Sequence, residues 1–176
     1  MRLYAGKVTA IAQDMVDSLL SSGAVESEEG MEGEILLDIE SVLKEYIRTE
    51  REIVNQARET ISRDGLEFRQ LHKIKSRLAD DRGFGIGDKA IEYLARQIIE
   101  CLFHSRHVAE IYEEDHTLRK QMRDVLRGHL RVDEDLDQEV RRRIQNLQEG
   151  TSSWEIEYNK VMNDLRRLKG LEADEA

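Results

Sequence analysis

Cys101, His104 and His107 have the side chains of a zinc site and are spaced i, i+3 and i+6 along a helical stretch. Thiolate and imidazole both suit zinc, and His104 and His107 can share one helix face. At 100° per residue, however, the outer two of the three lie about 120° apart, so one helix cannot turn all of them onto one ion. A further ligand, for instance His116, would have to come from elsewhere. The expectation is a core-facing cysteine beside half-exposed histidines at a helix end, with no metal and no cofactor.

RGFGIGDK, residues 82–89, is the one glycine-dense stretch. A dinucleotide loop needs G-x-G-x-x-G after a strand, and a phosphate loop needs G-x-x-x-x-G-K-[S/T]. Gly83, Gly85 and Gly87 meet neither spacing, and the preceding LHKIKSRLADD is a charged amphipathic helix. These three glycines are therefore expected to form a hinge, with Phe84 and Ile86 anchoring it and Asp88 capping the helix that follows. DEDLDQE (133–139) alternates acids as a calcium loop does, but Gln138 and Ile144 stand where such a loop needs glycine and glutamate.

The remaining candidates are for binding. Arg119, Lys120, Arg123, Arg127 and Arg131 cluster on one helix, with Arg141, Arg142 and Arg143 beyond and Arg69, His72, Lys73, Lys75 and Arg77 elsewhere. Such a face could hold a nucleic-acid backbone. The flanking acids favour pairing on a solvated surface instead, and no aromatics are interleaved for base stacking. Trp154 is the only tryptophan and, with Tyr158, is either a core anchor or a partner-binding position. Glu50 and Asp133 each interrupt the apolar stripe of a long helix, and His129 is placed four residues before Asp133 to pair with it. At Glu50 the stripe is expected to open to solvent.

These residues must be positioned by helices. Charged residues make up 36% of the chain and aromatics 5%, and proline is absent. That composition favours long helices over strands. The formal charge of −10 weighs against a general nucleic-acid binder. A single cysteine excludes an internal disulfide framework and fits a reducing compartment. Acidic Asp14 and Asp17 interrupt the first apolar run, so no secretory signal is expected, and no apolar run is long enough to span a membrane. The expectation is a soluble cytoplasmic protein.

The first apolar stripe is Val8, Ile11, Ala12, Met15, Val16, Leu19 and Leu20, ending at Gly23. The acidic stretch 26–34 reads as a connector. A long helix follows to Asp64, with Gly65 as its left-handed cap, and a third helix runs out at Gly83. Shifting the sequence by 83 positions lays the stripe onto Ile91, Leu94, Ala95, Ile98, Ile99, Leu102 and Phe103. The same register pairs Ile35 with Leu118, Ile39 with Met122, Leu43 with Leu126, Ile53 with Leu136 and Ile61 with Ile144. A four-residue insertion falls in the turn NLQEGTSS, after which Leu71 meets Tyr158 and Gly83 meets Gly170. Such self-similarity points to a duplicated unit.

Four segments resemble a bacterial family known only as domain of unknown function 507: MRLYAGKV at the start, DIESVLKEY (38–46), RGFGIGD (82–88) and EGTSSWEIEYNKVM (149–162). The resemblance covers nearly the whole chain. Members often carry a proline shortly before the Trp-Glu-Ile-x-Tyr segment, where this chain has Ser152 and Ser153. The resemblance implies an all-helical fold and carries over no catalytic residue.

The expected architecture is all-α, with six helices in two related short-long-medium units and the long helices packed as a coiled pair. Residues 1–83 form the first unit, 84–88 the junction, 89–170 the second unit and 171–176 an acidic tail. The expected function is a non-enzymatic adaptor or scaffold for protein partners, as a monomer with pseudo-two-fold halves or as a homodimer. The alternative is a nucleic-acid or ribonucleoprotein-associated factor using the basic faces.

Overall fold

The computed structural model describes residues 3–148 and 151–168, without the side chains of 131–134. Among the described residues there are six α-helices: α1 Val8–Ser21, α2 Glu32–Asp64, α3 Leu71–Asp81, α4 Ala90–His104, α5 Asp115–Arg143 and α6 Ser152–Leu168. The all-α expectation holds but for one two-stranded ribbon, β1 (Val25–Ser27) and β2 (Val108–Ile111), paired antiparallel. Part of the acidic stretch read as a connector is therefore strand.

The chain divides into two compact units, Leu3–His129 and Leu130 onward, so the boundary falls within α5. In the first unit α2 packs against α1, α3 and α4. The apolar spacing of α1 sinks Val8, Ile11, Ala12, Met15, Val16 and Leu19, and that of α4 sinks Leu94, Ala95, Ile98, Ile99 and Leu102. α2 contributes Ile35, Ile39, Leu43, Tyr46, Ile53, Ala57 and Ile61 to this core. α2 ends at Gly65 with φ 62°, the left-handed cap anticipated for it.

At Glu50 the stripe does not open to solvent. Glu50 is largely buried and Lys75 of α3 reaches it at 3.4 Å. The reason is tertiary: α3 folds back along α2 and brings a cation to the acid, which spacing within α2 cannot reveal.

The glycine stretch lies inside the first unit and is packed. α3 closes with the Phe84 amide on the Ala79 carbonyl and the Gly83 amide on that of Asp80. This closure needs a left-handed residue, and Gly83 supplies it at φ 62°. The chain then enters a three-ring plug. Phe84 stacks on Tyr46 of α2 at 4.9 Å between centroids and lies 4.9 Å from Tyr93 of α4. The Tyr46 hydroxyl donates to the Gly85 carbonyl at 3.1 Å. Burial, followed by the charge of Glu50, pushes the Tyr46 phenol above its ordinary range. A Cβ on Gly85 would lie 2.4 Å from Tyr93 Cβ and 2.7 Å from the Lys89 carbonyl. Phe84 anchors the joint as expected. Asp88 sits in a short 3₁₀ turn, Gly87–Lys89, and α4 begins with no side-chain cap.

In the second unit the end of α5 buries Leu136 and Val140, the turn after it buries Ile144, and α6 buries Tyr158, Met162 and Leu165. The Thr151 hydroxyl caps α6 by accepting the Trp154 amide at 3.2 Å.

The plug yields the first prediction. Gly85→Ala forces Tyr93 or the backbone to move and should cost about 3 kcal/mol or more. Gly83→Ala meets only backbone strain and should cost about 1–2 kcal/mol. Urea unfolding of both variants checks the order.

Candidate functional site

The zinc candidates separate in the folded chain. The His104 imidazole turns back onto its own helix, Nδ1 lying 2.7 Å from the Glu100 carbonyl. Cys101 sits at the α2–α4 contact, Sγ donating to the Asp38 carbonyl at 3.9 Å. Burial first, then the Asp38 charge, pushes its thiol up. A thiol so held is a poor nucleophile. His107 instead joins Asp38, with Nδ1 to Oδ2 at 3.0 Å. Among the described residues no group of three or more His, Cys, Asp or Glu side chains is placed to hold a metal.

What gathers here is a polar clasp between α2 and the end of α4. Asp38 Oδ2 accepts the Ser105 hydroxyl at 2.6 Å as well as His107, and the His107 amide donates back to Ser105 Oγ at 3.2 Å. An Asp-His-Ser relay requires the serine on Nε2, opposite the carboxylate. Here Ser105 lies 3.4 Å from Nδ1, on the carboxylate's own side. The arrangement ties elements together and does not prepare a nucleophile.

A second clasp stands 83 positions away. Gln121 of α5 donates to the Ser18 carbonyl at 2.8 Å and to Ser22 Oγ at 3.0 Å. Shifted by 83, Ser18 becomes Cys101, Ser22 becomes Ser105 and Asp38 becomes Gln121. The contacts of 38 with 101 and 105 thus recur as those of 121 with 18 and 22. The ribbon comes within one residue of the same rule: Val25 pairs with Ile111, and Val108 pairs with Ser27 rather than Glu28 because of a bulge after Glu26.

The α1–α2 and α4–α5 contacts also correspond. Glu40 is the one buried charged residue among those described. It accepts Thr9 Oγ1 at 2.5 Å and Lys44 Nζ at 2.5 Å. At the shifted positions Glu92 of α4 pairs with Arg123 of α5 at 2.9 Å, and with Arg119 at 3.5 Å. Arg119 also pairs with Asp115, and Arg127 with Asp124 at 3.7 Å. Three of the basic-face arginines are thereby engaged by acids, while Lys120 is exposed and the Arg131 side chain lies outside the described residues. Gly170, the tail from 171 and the Asp133 side chain also lie outside them. His129 pairs with Asp14 of α1 at 2.6 Å, because α1 lies against it.

Elsewhere, an open depression of about 300 Å³ is lined by Ala5, Lys44, Ile47, Arg48, Arg51, Glu52 and Asn55. Lys44 and Arg48 are already paired there with acids of α2. In the second unit Trp154 is half-buried, stacked on Tyr158 at 4.8 Å with the Arg141 guanidinium 5.5 Å from its ring centre. Tyr158 is buried and donates its hydroxyl to Asp137. Both aromatics therefore serve this unit's packing. Sequence reasoning missed Asp38, Ser105, Gln121 and Glu40. The one signal for them was the shift that laid Cys101 on Ser18.

Hydrogen bonds from Lys44 and then Thr9 hold the Glu40 carboxyl below the ordinary glutamate range, against the opposing effect of burial. A carboxylate with a depressed folded-state pKa stabilises fully above its unfolded value, near pH 4.3, and loses that contribution as pH falls through the folded one. Glu40→Gln should therefore be less stable than the parent at pH 7, with the gap closing below about pH 4. Thermal unfolding of both chains across pH measures it.

No helix among the described residues is long and apolar enough to cross a membrane. No curated protein matches the chain. The family model described as "Protein of unknown function (DUF507)" matches residues 1–171, and the chain belongs to that family.

Proposed function

We propose that the chain is a non-enzymatic interaction module, an adaptor or scaffold of the bacterial cytoplasm, built by duplication of one helical unit. The carrying observation is the contrast between a well-sunk core and the large apolar side chains left outside it. Met31, Leu37, Phe103 and Tyr112 are each more than 40% exposed, while the helix stripes beneath them are buried. Large apolar side chains left exposed on elements next to one another are candidates for partner contact. The ion pairs of Arg119, Arg123 and Arg127 lower the charge available to a phosphate backbone, so the nucleic-acid alternative has less support.

The reciprocal contacts support duplication. In a two-fold pair of identical chains, if i touches j of the partner then j touches i. The 38–101 and 121–18 contacts and the 38–105 and 121–22 contacts obey that relation after the 83-residue shift, and the ribbon misses it by one residue at its bulge. A covalently joined descendant of such a pair would retain it.

Two measurements test these readings. A tagged chain recovered from its native host should carry a protein partner near equal stoichiometry that survives nuclease treatment. Nucleic acid lost on that treatment would favour the alternative, and recovery of neither would end the adaptor reading. For duplication, glutamine already makes the equivalent contacts at 121. Asp38→Gln should then cost less than about 1 kcal/mol, whereas Asp38→Leu, which strands Ser105 and His107, should cost about 2 kcal/mol or more. Equal losses in thermal unfolding would count against the correspondence.

A further inference from the structure

The charges of the first unit are sorted by position along α2. At its N-terminal end, residues 26–34 carry Glu26, Glu28, Glu29, Glu32 and Glu34 and no base. The ribbon places beside them residues 108–115, with Glu110, Glu113, Glu114 and Asp115, preceded by Arg106 and by His107, which is engaged by Asp38. Glu26 and Glu110 face each other directly across the two strands. Like charges in that position oppose pairing. The Tyr112 hydroxyl donates to Glu26, which with burial and the Glu110 charge pushes the phenol up to about 12. Four exposed apolar side chains belong to the same end. Met31 bonds the Glu28 carbonyl, Leu37 neighbours Asp38 of the clasp, Phe103 lies between Cys101 and Ser105, and Tyr112 follows β2.

The complement lies on α3. Residues 68–79 carry Arg69, Lys73, Lys75 and Arg77 and no acid. Lys73 and Arg77 stand at i and i+4 on α3, forming a short ridge, while Arg69 lies in the 3₁₀ turn before the helix and pairs with Glu67 at 2.6 Å. Lys73 and Arg77 are exposed and make no ion pair among the described residues, and exposed Phe68 stands at the head of the ridge. Within one chain these charges cannot neutralise each other. α2 spans about 50 Å from Glu32 to Asp64, and α3 turns back over only about 15 Å of that length. The remaining ~30 Å far exceeds the ~8 Å screening length at physiological salt.

We propose that the ribbon end of one copy binds the α3 ridge of a second copy, acids against cations and Met31, Leu37, Phe103 and Tyr112 against Phe68. This rests on the reading of the chain as an interaction module and names a second copy as its partner. The contact joins two different patches. Two copies can exchange it reciprocally and close, or pass it on head to tail.

The test needs only purified full-length chain in sedimentation velocity. The wild type should associate with rising concentration at about 0.05 M salt, and association should weaken at least about tenfold at about 0.5 M. Lys73→Glu with Arg77→Glu, and separately Glu28→Lys with Glu29→Lys, should each abolish association while leaving the circular dichroism and melting temperature intact. Mixing the two variants should restore a complex, because the ridge variant keeps the acidic ribbon end and the ribbon variant keeps the basic ridge. A wild type that stays monomeric at low salt overturns the proposal, as does failure of the mixture to associate or persistence of association in either variant. None of those results bears on capture of a different protein from the host, so the adaptor reading stands or falls separately.

Discussion

Everything in the first unit depends on covering one face of α2. The helix is 33 residues long, and most of its outward positions are charged. Isolated helices are marginal in water, and their stability in proteins comes mainly from packing an apolar face. α1 and α4 cover the N-terminal part and α3 the remainder. Where the stripe is interrupted at Glu50, Lys75 supplies the missing partner from α3. The aromatic plug then fixes how the chain passes from α3 to α4. Tyr46 belongs to the α2 stripe, so the glycine segment is held by the same face it helps to cover.

Helix identity was legible because a period of 3.6 repeats over many residues. The stripes of α1 and α4 are buried at almost every position assigned from spacing, and Gly65 ends α2 where its type requires. The ribbon was not legible. Val25–Ser27 and Val108–Ile111 are too short to show alternation, and each is a strand only because the other lies beside it. The clasp was hidden for the same reason: Asp38, Ser105 and His107 are separated by a helix, a turn and a half-repeat. The spacing of the glycines predicts a hinge, and the segment lies within the first unit. Their conformation follows from a closing turn at Gly83 and from the approach of Tyr93 at Gly85, and the second is a tertiary fact.

Polar groups at the helix contacts are arranged unevenly. Glu40 is satisfied by a hydroxyl and an ammonium. At the corresponding α4–α5 contact two guanidiniums share Glu92, and the buried Nε atoms of Arg119 and Arg123 make no hydrogen bond within the described residues. Unsatisfied buried donors cost stability. A charge at such a contact specifies register more than it adds free energy, since a wrongly set helix would leave the same groups unpaired without their acid.

The strongest ground for reading the two halves as relatives is that position persists where chemistry has changed. At 38 and 121 a carboxylate and an amide reach the corresponding serines 105 and 22, one accepting and the other donating, while the 38–101 contact runs through the Asp38 backbone carbonyl. At 9–40 and 92–123 the acid has moved from α2 to the shorter helix, and its partner has become an arginine on the long one. Chance similarity between amphipathic helices explains matching apolar positions, because any two stripes can be slid into agreement. It does not explain why long-range polar contacts fall at the same index, nor why they are reciprocal. A few polar contacts of one half thus recur at the corresponding positions of the other with different side chains. Divergence of that kind lets one end of the body become acidic and apolar without loss of the core.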